Sequence, residues 1–359
     1  MTTDGQPKRA LPKLRRREVD GSGQDWVRFE ELRSGLHLPV VARPSLPGIE
    51  LAEWGRTHRA LVDARIHKHG AVLFRGFDVA TPEAMDRAIQ ALADEALAYE
   101  ERSSPRSQVS GNIYTSTDHP PSERIFLHNE QSYNQTFPAR LFFACVLPSQ
   151  QGGETPLADT RRIFQRLPAE VRARFLEQGY TYVRNFGHHL GLSWQTAFQT
   201  EDRAEVEAYC QRSGIQVEWR DGNRLRTRQV RRAAGLHPVT GEPVWFNHAT
   251  FFHVSTLPEP VASALLADLG EEELPNQTYY GDGGPIEPEV MRTLRAAYEA
   301  EQVMFPWERG DLLVIDNLLA AHARSSFVGP RRVLAGMARP FPWSEVAPVA
   351  AAPPGSPPG

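Results

Sequence analysis

Between residues 124 and 339 the chain breaks into short β-prone runs: RIFLHNE, ARLFFACVL, YTYVRNF, QVEWR, NRLRTRQV, EPVWFN, DLLVIDN and RRVLAGMAR, with Gly, Pro, Asn and Asp turns between them. Strands this short bury their apolar faces only by stacking sheet on sheet or by closing on themselves. Helical patterns occur as inserts, near 160–178, 203–213, 258–268 and 288–299. Two more precede the strands. Leu51, Trp54, His58, Leu61, Val62 and Arg65 recur at helical spacing up to a stop at Gly70, and Thr81-Pro82-Glu83 opens a helix to about Leu97, with AVLFRGF between them as a buried strand. The pattern is mainly β with flanking helices (α+β), a sandwich or jelly roll. A βαβ nucleotide-binding layout is disfavoured: no GxGxxG follows a strand and no GxxxxGK[ST] occurs.

At 359 residues and 40% hydrophobic content the chain can bury a large core without staples. We expect a tail over 1–23, one folded domain over 24–343, and a Pro/Ala-rich tail over 344–359 too poor in apolar residues to order itself. The formal net charge of -4 gives no argument for nucleic acid, and the one basic cluster, Lys8 to Arg17, reads as part of the N-terminal tail. No run reaches the length of a membrane span and no apolar leader opens the chain, so no membrane partner is expected. Two cysteines, Cys145 and Cys210, make neither a disulfide framework nor a CxxC motif, which fits a cytoplasmic location.

The first candidate chemistry is His128-Asn129-Glu130, at the end of a β-prone run. On a strand, residues i and i+2 share a face, so an imidazole and a carboxylate would project together. They make two thirds of the 2-His-1-carboxylate set that holds Fe(II) and leaves positions open, although such a pair alone is more often just the polar end of a strand. The best third donor is His322, in GDLLVIDNLLAAHARSSFVGPRRVLAGMAR, where a hairpin-like pair of strands would put the histidine near one rim and Arg331-Arg332 at the start of the return strand. An arginine placed there can hold a carboxylate in bidentate fashion. RSSPRSQVSGNIYTSTDHPPSE reads as a long loop rimming the cavity.

Together these segments resemble the taurine dioxygenase-like (TauD/TfdA) family of Fe(II)/2-oxoglutarate-dependent oxygenases, and within it the SyrP-like members associated with nonribosomal peptide pathways. The resemblance spans roughly 37–342 and is carried by HGAVLFRGF, ERSSPRS, HNEQSY, GGETPLADTR, YVRN, HPVTGEPVWFN, YYGDGGPI, WERGDLLVIDNLLAAHAR and GPRRV. It implies a double-stranded β-helix (jelly roll, clavaminate synthase-like). His128, Glu130 and His322 would be the iron ligands, Thr155 would support the distal carboxylate of 2-oxoglutarate, and Arg332 would pair with it, Arg331 being the register alternative. The implied chemistry consumes 2-oxoglutarate and O2, releases succinate and oxidises an unactivated C–H bond. The implied substrate is a small-molecule or carrier-protein-bound amino acid. Members of the family commonly have aspartate where this chain has Glu130, and radical halogenases have a small residue there, so Glu130 argues against halogenation. Ala323 stands where relatives commonly carry glycine.

Candidate substrate contacts are Arg324, two residues after His322, with Asn129, Tyr133, Arg102 and His248; Arg106 and Arg184 are further arginines that could receive a carboxylate. His188, His189 and His253 read as loop or structural histidines, Trp245 and Phe246 as core, and Asp159 and Asp316 as turn caps or arginine partners. Desaturation or cyclisation would use the same centre. A non-catalytic ligand-binding or regulatory protein on the same fold is the alternative from another class, and the retention of all five site residues speaks against it.

Overall fold

The computed structural model describes residues 26–94, 108–116, 119–187 and 191–350; Arg102, Arg106, His188 and His189 lie outside them. The strand Thr136–Leu147 organises the chain. Both of its faces are apolar because both are covered: Phe142 and Ala144 pack under helices, while Leu141, Phe143 and Cys145 point the other way. Its neighbours are Leu312–Asp316 on one side and Arg332–Pro342 on the other, within an eight-stranded sheet. One flank of that sheet continues through Ala71–Phe74, Leu36–Pro44 and Val27–Arg33, the other through Ile113–Thr115 and Gln108–Ser110. Helices Leu51–His69 and Pro82–Ala93 cover the outer face with Trp54, Val62, Ile66, Met85, Ile89 and Leu92. The first helix ends where expected, at Gly70 with φ 78°. The described part of the second ends at Ala93, where Asp94 takes φ 72° and is held by Arg59 at 2.6 Å; Leu97 lies outside the described residues.

A four-stranded sheet, in the order Gln302–Val303, Leu157–Asp159, Ala320–Arg324, Ile125–His128, faces the inner side of the large one. Leu157 and Ala320 share one cluster with Leu141, Phe143, Leu313, Ile315 and Val333, so the core between the sheets is continuous. The two sheets form the jelly roll. A third antiparallel sheet, Gln216–Arg220, Arg224–Arg231, Tyr180–Phe186 and Asn276–Tyr280, packs Tyr180, Tyr182 and Tyr280 against Phe175, Trp245 and Tyr298.

Three expectations change. The hairpin-like pairing of Leu312–Asp316 with the return strand does not form: Thr136–Leu147 lies between them. Asp316 Oδ1 accepts from the amides of Leu318 and Leu319, turning the chain out of the large sheet so that Ala320–Arg324 joins the opposite one. The 160–178 insert is two helices, Thr160–Arg166 and Ala169–Gln178, separated at Pro168. The C-terminal tail does not begin at 344: Val346 is 2% exposed beside Trp343, and Ala347 bridges Leu236.

Candidate metal centre

His322 and His128 are directly opposed residues of adjacent antiparallel strands, which brings their rings to 4.4 Å between centroids. Glu130 completes the group: His322 Nε2 lies 3.9 Å from Glu130 Oε2, and one donor atom from each of the three residues falls within 4.8 Å of the others. His128 Nδ1 lies 2.9 Å from the carbonyl of Phe126, the bond that makes Nδ1 the protonated nitrogen and leaves Nε2 as the donor to a metal. Phe143 stands 5.1 Å from His322 and Phe251 4.6 Å from His128, giving the group apolar walls.

The route by which Glu130 arrives differs from the strand rule. The strand ends at His128, and residues 130–133 form a turn with Gln131 at φ 54°. Asn317 replaces the missing ladder. Its Oδ1 accepts from the amide of Glu130 at 2.8 Å, and its Nδ2 donates to the carbonyls of Glu130 and Pro138, each at 2.8 Å. Asn129 Nδ2 donates to the Asn317 carbonyl at 2.6 Å, so this side chain ties the turn down, while its Oδ1 is buried with no hydrogen-bond partner among the described residues. Arg231 adds a bond from Nε to the carbonyl of Tyr133 at 2.7 Å.

Of the two candidate arginines, the structure buries Arg331 and leaves Arg332 exposed. Val333, Ala335 and Met337 face the interior, while Leu334 and Ala338 face the helices; a bulge in the ladder between Arg332 and Val333 precedes them. Arg331 falls on the inner side, donating from Nε to the carbonyl of Gly153 at 2.9 Å and from Nη1 to Ser116 Oγ at 3.3 Å. Among the described residues it has no ion-pair partner. Burial pushes its pKa down to about 10, with Arg324 adding repulsion. Gly153 has to be glycine: at φ 74° a Cβ there would lie 2.4 Å from Ser149 Oγ and 3.0 Å from Arg331 Cδ. Thr155, in the same loop, is buried and accepts a hydrogen bond from Trp307 Nε1 at 3.2 Å.

The other expected contacts separate. Arg324 donates from Nη1 to the carbonyl of His119 and from Nη2 to those of Pro120 and Glu123, leaving Nε buried without a hydrogen-bond partner among the described residues. Tyr133 sits in the aromatic core behind His248, 4.9 Å between rings, and also meets Tyr182 and Phe252. His248 does reach the centre: its ring is 5.9 Å from His128, Nδ1 is 2.6 Å from Ser132 Oγ, and burial, then the neighbouring His128, holds its pKa well below the usual value. Trp245 and Phe246 are core. Asp159 caps the helix Thr160–Arg166 and pairs with Arg161 at 2.7 Å, and Asp316 caps its turn, as expected. Sequence reasoning did not single out Asn317, Trp307 or Ser116. The first two lie inside DLLVIDN and WERGDLL, but nothing in their spacing says what they touch.

A histidine-histidine-glutamate cluster between the sheets of a jelly roll, with a buried arginine alongside, defines a 2-oxoglutarate-dependent oxygenase architecture. The family model for taurine catabolism dioxygenase TauD, TfdA family, matches residues 33–338. The dapdiamide synthesis protein DdaC of Enterobacter agglomerans is 39% identical over 285 residues, covering 79% of this chain and 87% of its own. A clavaminate synthase-like protein of Arabidopsis thaliana is 30% identical over 321 residues, covering 84% and 93%. The crystal structure of PvcB from Pseudomonas aeruginosa shares the fold, with 17% identity, a TM-score of 0.51, and 93% and 94% of the two chains covered. The chain belongs to the TauD/TfdA family and is an Fe(II)- and 2-oxoglutarate-dependent dioxygenase. No described helix is long and apolar enough to cross a membrane.

Proposed function

We propose that this enzyme hydroxylates an unactivated C–H bond of an amino acid or carrier-tethered aminoacyl group in natural-product biosynthesis, with Fe(II) held by His128, Glu130 and His322 and 2-oxoglutarate anchored by Arg331 and Thr155. The observation that carries the site assignment is the pairing of two features: three donor atoms within 4.8 Å of one another, and a buried guanidinium that makes no salt bridge among the described residues, only the charge of Glu154 acting on it from farther off. A buried cation without a direct ion pair is costly, and a dicarboxylate cosubstrate would supply a close one. The likeness to a protein named for dapdiamide synthesis supports the biosynthetic reading. Both described cysteines are free and buried, which suits a cytoplasmic enzyme.

When bound, the metal and 2-oxoglutarate supply the oxidising power, drawn from O2 with loss of CO2 and release of succinate. The protein's share is placement. The Phe126 carbonyl fixes the His128 tautomer, and Asn317 fixes the Glu130 backbone. Phe143 and Phe251 keep the centre dry on two sides. His248, neutral through burial, offers a substrate hydrogen bonding without charge. Glu130 fills the position a halide would need, which argues against halogenation.

The test is anaerobic titration with Fe(II) and 2-oxoglutarate, followed by succinate release against paired free and carrier-bound amino acids. We expect a visible charge-transfer band and succinate release that rises with one member of the panel. A protein that forms the band but releases no extra succinate with any amino acid, free or tethered, would refute the substrate class.

A further inference from the structure

Trp307 has a buried indole whose single polar atom is spent on Thr155. An indole N–H only donates, so in this bond Thr155 Oγ1 is the acceptor. A hydroxyl that accepts here keeps one hydrogen to give away, and the Thr155 hydroxyl makes no other hydrogen bond among the described residues. Its hydrogen is therefore aimed outward from the indole. Thr155 lies two residues from Gly153, whose carbonyl orients the Arg331 guanidinium.

Trp307 is itself held on both flanks. Arg75 Nη2 donates to the carbonyl of Pro306 at 2.8 Å and pairs with Asp311 at 2.6 Å, and Asp311 Oδ2 accepts from the amide of Glu308 at 2.8 Å. Phe305 meets the indole edge to face at 5.6 Å. The donor is thus fixed by a buried ion pair some distance from the ligand position.

We propose that Trp307 is a positioning residue for the cosubstrate: by donating to Thr155 Oγ1 it makes that hydroxyl a dedicated donor, matched to the distal carboxylate of 2-oxoglutarate. This inference rests on the assignment of Thr155 and Arg331 to that carboxylate. Removing the indole N–H lets the hydroxyl rotate and leaves its donor direction unset.

The experiment is a double-mutant cycle with Trp307→Phe and Thr155→Val, read by calorimetric titration of 2-oxoglutarate into the Fe(II)-loaded protein under anaerobic conditions, with Fe(II) affinity and thermal unfolding recorded for each variant. Trp307→Phe alone is expected to weaken 2-oxoglutarate binding about fivefold to tenfold, the effect of one hydrogen bond, with Fe(II) affinity unchanged. In the Thr155→Val background the same change is expected to cost nothing further. Thr155→Ser, which keeps the hydroxyl, should bind near the wild-type level and stay sensitive to Trp307→Phe. In turnover the loss should appear in KM for 2-oxoglutarate with kcat retained. An equal loss in the Thr155→Val background, or no loss in Trp307→Phe, overturns the inference and leaves the anchor assignment standing. Failure of the wild-type protein to bind 2-oxoglutarate overturns both.

Discussion

Asn317→Ala should separate metal affinity from catalysis at a residue that bears no ligand. The side chain holds the peptide groups of Glu130 from both ends, accepting from its amide and donating to its carbonyl, and it also serves Pro138. Alanine leaves three buried backbone groups unpaired, each worth about 1–3 kcal/mol, so global stability should fall by about 3 kcal/mol or more. Glu130 follows a residue where the strand has ended, and Gln131 after it has positive φ, so no ladder compensates. Fe(II) affinity should fall about 10- to 100-fold, the range for losing an outer partner of a metal ligand. Asn129→Ala, which removes one bond to the Asn317 carbonyl, should cost about 1 kcal/mol and leave Fe(II) affinity nearly intact. The assay is anaerobic Fe(II) titration at a temperature where circular dichroism shows the variant folded, beside a melting curve. If folded Asn317→Ala binds Fe(II) as tightly as the wild type, the turn does not depend on Asn317 for ligand placement and the reasoning fails.

Arg331→Gln should raise KM for 2-oxoglutarate at least about tenfold, as expected for losing a charge-assisted pair, whereas Arg332→Gln should change it less than about twofold; the reverse order in steady-state kinetics would restore Arg332 as the anchor. For pH, the folded-state pKa values of His67, His69 and His253 all lie below the ordinary value through burial, His253 at about 4. Below about pH 6.5 the unfolded chain takes up protons that the folded chain refuses, so stability should decline as pH falls from about 6.5 towards 4. His253→Asn should flatten that slope in denaturant titrations run across the window; an unchanged slope would show that His253 is protonated in the fold.

What could be read from sequence followed the reach of each rule. Alternation and helix caps are local, so Gly70, Thr81 and the inward run of Thr136–Leu147 were legible before any contact was known. The choice between Arg331 and Arg332 lies beyond alternation, because the ladder bulges between Arg332 and Val333 and parity along the strand does not carry across it. Both faces of that strand are apolar, so hydropathy cannot choose, and family spacing favoured the neighbour by one residue. The failure at Glu130 has another origin. A two-residue spacing on an assumed strand named side chains that do come together, but not by the strand rule, since the chain leaves the strand at His128 and the carboxylate is returned by Asn317, 187 residues away in sequence. Thr155 and Trp307 meet in the same way, through a bond that spans 152 residues. Ligand types were legible because chemistry limits them. The residues that aim them were not, because an amide or an indole reveals its role only through the partner the fold supplies.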